Sequence, residues 1–220
     1  MQSDKVVEKS HSDLKAIVAW KGALESKSFR IQFIFFAILL STFSFIFTWF
    51  FDFVEARNGI QIHDFVLNTV PAYNVSWGVF FVLYSAIAVG MVTHRAHPNI
   101  VLTIVQTYIL ITFVRMISIT LVPLEPPFGY IPLREPIVQF FTNGGRIISK
   151  DLFFSGHMTT VLSLYYGTQN KNAKKYLLIC VFAMASLLIV QHVHYTIDVL
   201  FAIPFTYLVY QFCKRYLGGN

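Results

Sequence analysis

The chain has 220 residues, enough for one ordinary domain; 55% are hydrophobic, only 13% are charged, and the net charge is +6. A water-soluble domain usually carries about 25% charged residues, so this composition excludes an ordinary soluble globule and points to lipid as the solvent. The basic residues come in short clusters between apolar runs, which favours a membrane surface over nucleic acid as their partner.

Residues 1–30 are mixed in charge, with Lys5, Lys9, Lys15, Lys21, Lys27 and Arg30 among four acids. A cleavable leader would put its apolar core nearer the start, so the first apolar run is expected to be retained as a span. Residues 13–29 can form an amphipathic helix with Leu14, Ile17, Val18 and Leu24 on one side, which suits the membrane interface. Crossing the hydrocarbon core takes about 20 apolar residues. Runs near that length predict six spans: Ile31–Phe53, Tyr73–Val92, Ile100–Leu121, Phe153–Gly167, Tyr176–Gln191 and Ile197–Phe212. The expected fold is therefore all-α: an integral membrane bundle of six transmembrane helices over 31–213, preceded by a cytoplasmic or interfacial segment over 1–30.

Lys and Arg concentrate in the N-terminal segment, at Arg95, at Lys171, Lys174 and Lys175, and at Lys214 and Arg215. With six spans the positive-inside rule places these connections and both termini in the cytoplasm. The connections 54–72, 122–152 and 192–198 then face the other side. Cys180 and Cys213 both lie in apolar runs and show no disulfide or metal spacing.

The residues able to do chemistry gather toward that second side. Ser155-Gly156-His157 opens an apolar segment, where free N–H groups and the helix dipole favour an anion and Gly156 admits a phosphate close to the backbone. His157 can donate a proton to a leaving oxygen. The plain alternative is a Ser cap beside an interfacial His. His194 and Asp198, four apart, share a helix face, so the carboxylate can fix the ring tautomer and leave the other nitrogen free to attack. A local structural hydrogen bond is the alternative. His192 raises a third one, a metal site with His194 and Asp198, but residues two apart on a helix point to different sides. Arg115, inside a span, needs a partner or a polar cavity: a phosphate, or a carboxylate such as Glu125. In the loop before His157, Arg146 and Lys150 can meet a headgroup and Asp151 can brace the site, or the two cations are simply solvated.

Asp151-Leu-Phe-Phe-Ser-Gly-His157 followed by His194-Tyr-Thr-Ile-Asp198-Val resembles the paired motifs of sphingomyelin synthases and their relatives, in the lipid phosphatase/phosphotransferase branch of the type 2 phosphatidic acid phosphatase superfamily. Arg115-Met-Ile-Ser-Ile-Thr-Leu-Val-Pro123 is similar to a further motif of that family, and the resemblance covers roughly residues 110–200. It implies a nucleophilic His194 oriented by Asp198, with His157 as acid and then base. Arg115, Arg146, Lys150, Asp151, Ser155 and Gly156 would surround the phosphate. It implies a glycerophospholipid donor, ceramide or another lipid alcohol as acceptor, no metal or other cofactor, and a site on the exoplasmic side. With water as the acceptor, the same site would make a lipid phosphate phosphatase or a phospholipase C-like hydrolase. The reading of another class is a non-enzymatic transporter or assembly factor. A transporter would be expected to show repeated halves or broken helices, and neither is visible in the sequence.

Overall fold

The computed structural model describes residues 2–133 and 148–218, with the side chains of 2–12 and 44 left aside. The described residues are mostly helical. In chain order the helices are α1 (Gln2–Glu25), α2 (Lys27–Ala56), α3 (Phe65–Thr69), α4 (Ser76–His94), α5 (Pro98–Leu121), α6 (Gly156–Gly167), α7 (Lys171–Val190) and α8 (Thr196–Phe212), the last running on into a π-helical turn, Cys213–Leu217.

Four of these are long and apolar enough to cross a bilayer: α4, α5, α7 and α8 with its π turn; α2 makes a fifth if its halves Lys27–Phe43 and Phe45–Ala56, bent by 41°, count as one span. The protein is thus a multi-pass membrane protein with four to five spans, and the expectation of six is corrected. The run Ile31–Phe53 counts only if the bent halves of α2 make one span, whereas the run Phe153–Gly167 fails outright. Only twelve of its residues are helical, about 18 Å against a hydrocarbon core of about 30 Å. Its apolarity has another cause. Met158, Val161 and Leu162 are buried in protein, where α6 packs among α4, α5, α7 and α8. Its hydroxyls turn back on their own helix, Thr159 and Thr160 donating to the Gly156 carbonyl and Ser163 to that of Thr159, so they reach the interior already satisfied.

The register of α6 fixes its depth. Gly167 lies against Ile104 of α5 and Gly156 against Arg115, so α6 runs antiparallel along the middle of that span. Arg115 is six residues short of the end of α5 at Leu121, roughly 9 Å at the helical rise. Where α6 begins, the chain is therefore sunk below the end of its neighbour.

At the opposite end the basic connections come together. Arg95 pairs with Asp13 of α1 at 3.0 Å and the Trp20 indole donates to the Arg95 carbonyl at 2.8 Å, while His94 meets the Thr168 hydroxyl at 2.8 Å. The ion pair is half exposed, so α1 is held mainly by Trp20, which packs edge-on against Phe29 and Phe33 of α2. Leu14, Ile17, Val18 and Leu24 remain exposed on α1. Helix α2 leans on α5 through Phe29, Phe36 and Phe43, spaced by seven, against Leu102 and Ile109. The Gln106 amide donates to Gln32 across this seam at 2.8 Å, an interhelical bond worth about 1 kcal/mol in lipid. Trp49, Trp77 and Phe45 are 85%, 90% and 79% exposed, a surface tolerable only against acyl chains.

Over the sunken end of α6 lies a polar cap made from the segments 57–75, 122–133 and 148–155. Ile60 and Leu124 form a parallel bridge, with Ile60 N–H donating to Pro123 O at 2.9 Å and Glu125 N–H to Ile60 O at 3.0 Å. Arg57 closes the end of α5 by donating to the carbonyls of Ile119 and Thr120. Glu55 receives the N–H groups of Ser149 and Lys150, both at 2.7 Å, and the Ser149 hydroxyl at 2.8 Å. Gly59 is obligatory here. A Cβ at that position would stand 2.7 Å from the Leu124 carbonyl carbon and 2.9 Å from Glu125 N, backbone atoms that no side-chain rotation can move aside. Gly59→Ala is expected to destabilise the protein by about 1–3 kcal/mol, the usual cost of overpacking, seen as a lower melting temperature in detergent.

Candidate active site

Three segments distant in sequence meet at the start of α6. Ser155 caps the helix, its hydroxyl accepting Met158 N–H, and its own N–H donates to the Asp198 carbonyl at 3.1 Å, which ties α6 to the first turn of α8. From α5, the Arg115 Nε donates to the Phe154 carbonyl at 2.8 Å and Nη2 pairs with Asp151 at 2.6 Å. The Ser118 hydroxyl, one turn further along α5, donates to the Phe153 carbonyl at 2.8 Å. The Arg115 fork is thus laid along the segment that leads into α6. A Cβ on Gly156 would fall 2.7 Å from its Nη1, so only glycine lets the guanidinium lie this close to the α6 N-terminus.

His157 and His194 face each other across this start, ring centroids 6.4 Å apart and planes 66° from parallel. That separation is too long for a bond between the rings and short enough for one phosphoryl group to touch both. His194 is buried, and its Nδ1 lies 3.4 Å from Asp198 Oδ2. Asp198 is wholly buried, and the same Oδ2 accepts Tyr195 N–H at 3.0 Å. The carboxylate is therefore anchored by the backbone and holds the imidazole through a long bond, one that shortens if the ring gains charge. Nδ1 faces the carboxylate, which leaves Nε2 as the nitrogen able to attack.

The structure brings together His157, His194, Asp198, Arg115, Asp151, Ser155 and Gly156. It places Lys150 elsewhere: its ammonium donates to Glu125 at 2.8 Å and to the Arg57 carbonyl at 2.7 Å, in the cap. Arg146 lies outside the described residues. The partner of Arg115 is Asp151, whereas Glu125 belongs to Lys150. His192 holds its two ring nitrogens against the carbonyls of Phe128 and Val70, at 2.7 and 2.9 Å, and so serves as a clasp between two cap segments. Ser118 escaped the sequence reading, although its place three residues after Arg115 puts it on the same helix face. Asp64 escaped it as well. The string Asp64-Phe-Val-Leu does signal an N-cap, but nothing local reveals that the carboxylate also reaches Thr196.

The cap carboxylates are expected to make the protein acid-sensitive. Burial pushes the Asp64 carboxyl up, but hydrogen bonds from Thr196, Leu67 and Val66 outweigh it and hold the group below its ordinary value. The Lys150 ammonium and the Gly59 N–H hold Glu125 below the ordinary range too. Groups depressed on folding contribute stability that is complete above their ordinary values, about 4, and is lost as pH falls through the folded ones. The melting temperature is expected to drop as pH goes below about 4, and Asp64→Asn with Glu125→Gln should flatten that dependence.

Residues 150–215 match the family model described as PAP2 superfamily C-terminal. The match takes in Asp151, Ser155, Gly156, His157, His194 and Asp198, and leaves Arg115 outside. No curated protein and no solved structure matches the chain. The match is consistent with a membrane-associated, lipid-modifying enzyme of the phosphatase or phosphotransferase type. It says nothing of the sphingomyelin synthase subtype that the residue strings resemble.

Proposed function

We propose that the protein is a membrane-embedded lipid phosphatase that removes a phospho-group from a lipid through a covalent intermediate on His194, with water as the final acceptor. The observation that carries this reading is the pair of imidazoles facing each other beside the Arg115 fork, one of them backed by a buried carboxylate. The lipid keeps its tails in hydrocarbon and lowers its phosphate to the sunken start of α6. Arg115 and the positive end of the α6 dipole stabilise the phosphoryl oxygens as charge spreads onto them.

His194 Nε2 attacks phosphorus, the phosphorus–oxygen bond to the lipid breaks, and protonated His157 gives its proton to the departing alkoxide, which leaves as an alcohol. Asp198 stabilises the positive charge on the phosphorylated ring. His157, now neutral, takes a proton from an entering water. The water oxygen bonds to phosphorus, the phosphorus–nitrogen bond breaks, and the free phospho-group leaves with both histidines restored. The catalytic unit is residues 31–213, with 1–30 appended to it. Helix α6, too short to span by itself, still returns the chain from its sunken start to the basic end around Arg95, where Thr168 meets His94. Both termini and that end then face the cytoplasm, and the capped end faces the exoplasmic side.

A second reading keeps the same first half and replaces water by a lipid alcohol such as ceramide. The strings Asp151–His157 and His194–Val199, which are similar to those of sphingomyelin synthases, favour it. One experiment separates the readings. Purified protein in nanodiscs is given fluorescent phosphatidic acid, phosphatidylcholine or phosphatidylethanolamine, with and without ceramide. Diacylglycerol released without any added alcohol is the expected result. Release that requires ceramide establishes the transferase. No product from any donor removes the enzyme reading and leaves a non-catalytic membrane protein.

A further inference from the structure

Asp64 stands in the loop between α2 and α4, and its carboxylate joins two helix starts. Oδ1 accepts the N–H groups of Val66 and Leu67, at 3.0 and 3.2 Å, and the Thr196 hydroxyl at 3.0 Å. Oδ2 accepts the Thr196 N–H at 2.6 Å, across 132 residues of sequence. Every neighbour in this set is a donor. The first N–H groups of a helix need acceptors from outside the helix. At α8 the carboxylate closest in sequence, Asp198, is turned back to Tyr195 N–H and His194. The N–H that opens α8 is thus closed by a residue of another segment.

Thr196 lies midway between His194 and Asp198. Their own contact, at 3.4 Å, is too long to fix the ring angle by itself. The backbone frame must do that, and it is gripped from one loop at two adjacent residues. Asp64 holds Thr196, and Ile62 N–H donates to the Tyr195 hydroxyl at 3.3 Å while that hydroxyl donates to the Glu125 carbonyl at 2.8 Å.

We infer that Asp64 is a positioning residue for the His194–Asp198 couple: its paired bonds to Thr196 set the first turn of α8 and hence the angle at which His194 meets the phosphate. The inference rests on the histidine chemistry proposed above. It requires a carboxylate, because the amide of Asn would turn its NH₂ toward one of these donors.

The test compares wild-type protein in nanodiscs with Asp64→Asn, Thr196→Val and Thr196→Ser. Rapid quench with labelled phosphatidic acid gives the rate of phosphoenzyme formation, and the burst amplitude counts intact sites. Misplacing a reacting group by about 1 Å costs on the order of 100-fold. Asp64→Asn should therefore slow the burst by about 10- to 100-fold at unchanged amplitude and KM. Thr196→Val should show a smaller loss, which Thr196→Ser restores. Hydrogen exchange supplies a readout apart from activity: Asp64→Asn should speed exchange in the first turn of α8 and leave α4 unchanged. A wild-type rate per site, a rate loss matched by an equal loss of amplitude, or unaltered exchange in α8 overturns the inference. If the wild-type protein forms no phosphoenzyme with any lipid phosphate, the histidine chemistry fails, and the exchange result alone decides whether Asp64 holds α8.

Discussion

His194→Ala is expected to lower turnover of a lipid phosphate by on the order of 10⁴-fold or more, since removing the nucleophile of a covalent mechanism abolishes both half-reactions at once. The protein should still insert and purify. The His194 ring is buried, but its hydrogen bond to Asp198 is a long one, and Asp198 keeps its backbone anchor on Tyr195 without it. The same variant should lose the acid-labile, base-stable phospho-label that a phosphohistidine leaves on rapid quenching. Asp198→Asn should come close to it in effect, because the amide cannot stabilise a positive ring and no longer selects the tautomer with Nε2 free. Turnover by His194→Ala at the wild-type rate would mean that the phospho-group never rests on this nitrogen, and the two-step reaction would have to be given up.

His157→Ala is the second large effect, and it carries a signature. Loss of a general acid costs about 10²- to 10⁴-fold, but only where the leaving group needs the proton. A lipid alkoxide does; a nitrophenolate does not. The variant should therefore be severely impaired on phosphatidic acid and much less impaired, in the first half-reaction, on an activated aryl phosphate. The measurement is the burst rate on each substrate. An equal loss on both would assign His157 to binding or to structure instead of proton transfer. Its position suits the proton role: it lies in the first turn of α6, on the far side of the 6.4 Å gap from His194, where the leaving oxygen of an in-line displacement would stand.

Much of the site's local geometry was legible because short-range rules govern it. Ser155 caps a helix because Ser followed by Gly and an apolar run is a helix start. Asp198 meets His194 although His194 precedes the helix and shares no helix face with it: as the third residue of α8, Asp198 folds its carboxylate back over the N-cap Tyr195, next to His194. Arg115 was bound to seek a polar partner because a guanidinium inside a span cannot be left to lipid. Which partner it found was not legible. Glu125 and Asp151 are equally available by sequence, and the choice fell to Asp151 because the chain passes directly from it into the start of α6 beside Arg115.

By itself, then, the sequence determined the helical class, the membrane as solvent and the residue strings of the candidate site, all of which follow from composition and from contacts within about one helical turn. Tertiary structure alone decided that Phe153–Gly167 is a short helix enclosed by its neighbours and not a span. It also decided that Lys150 belongs to the cap and that a carboxylate 132 residues upstream closes the start of α8. The physical reason is common to these cases. An apolar segment reads the same whether hydrocarbon or protein surrounds it, and a hydrogen bond between distant segments leaves no period in either of them.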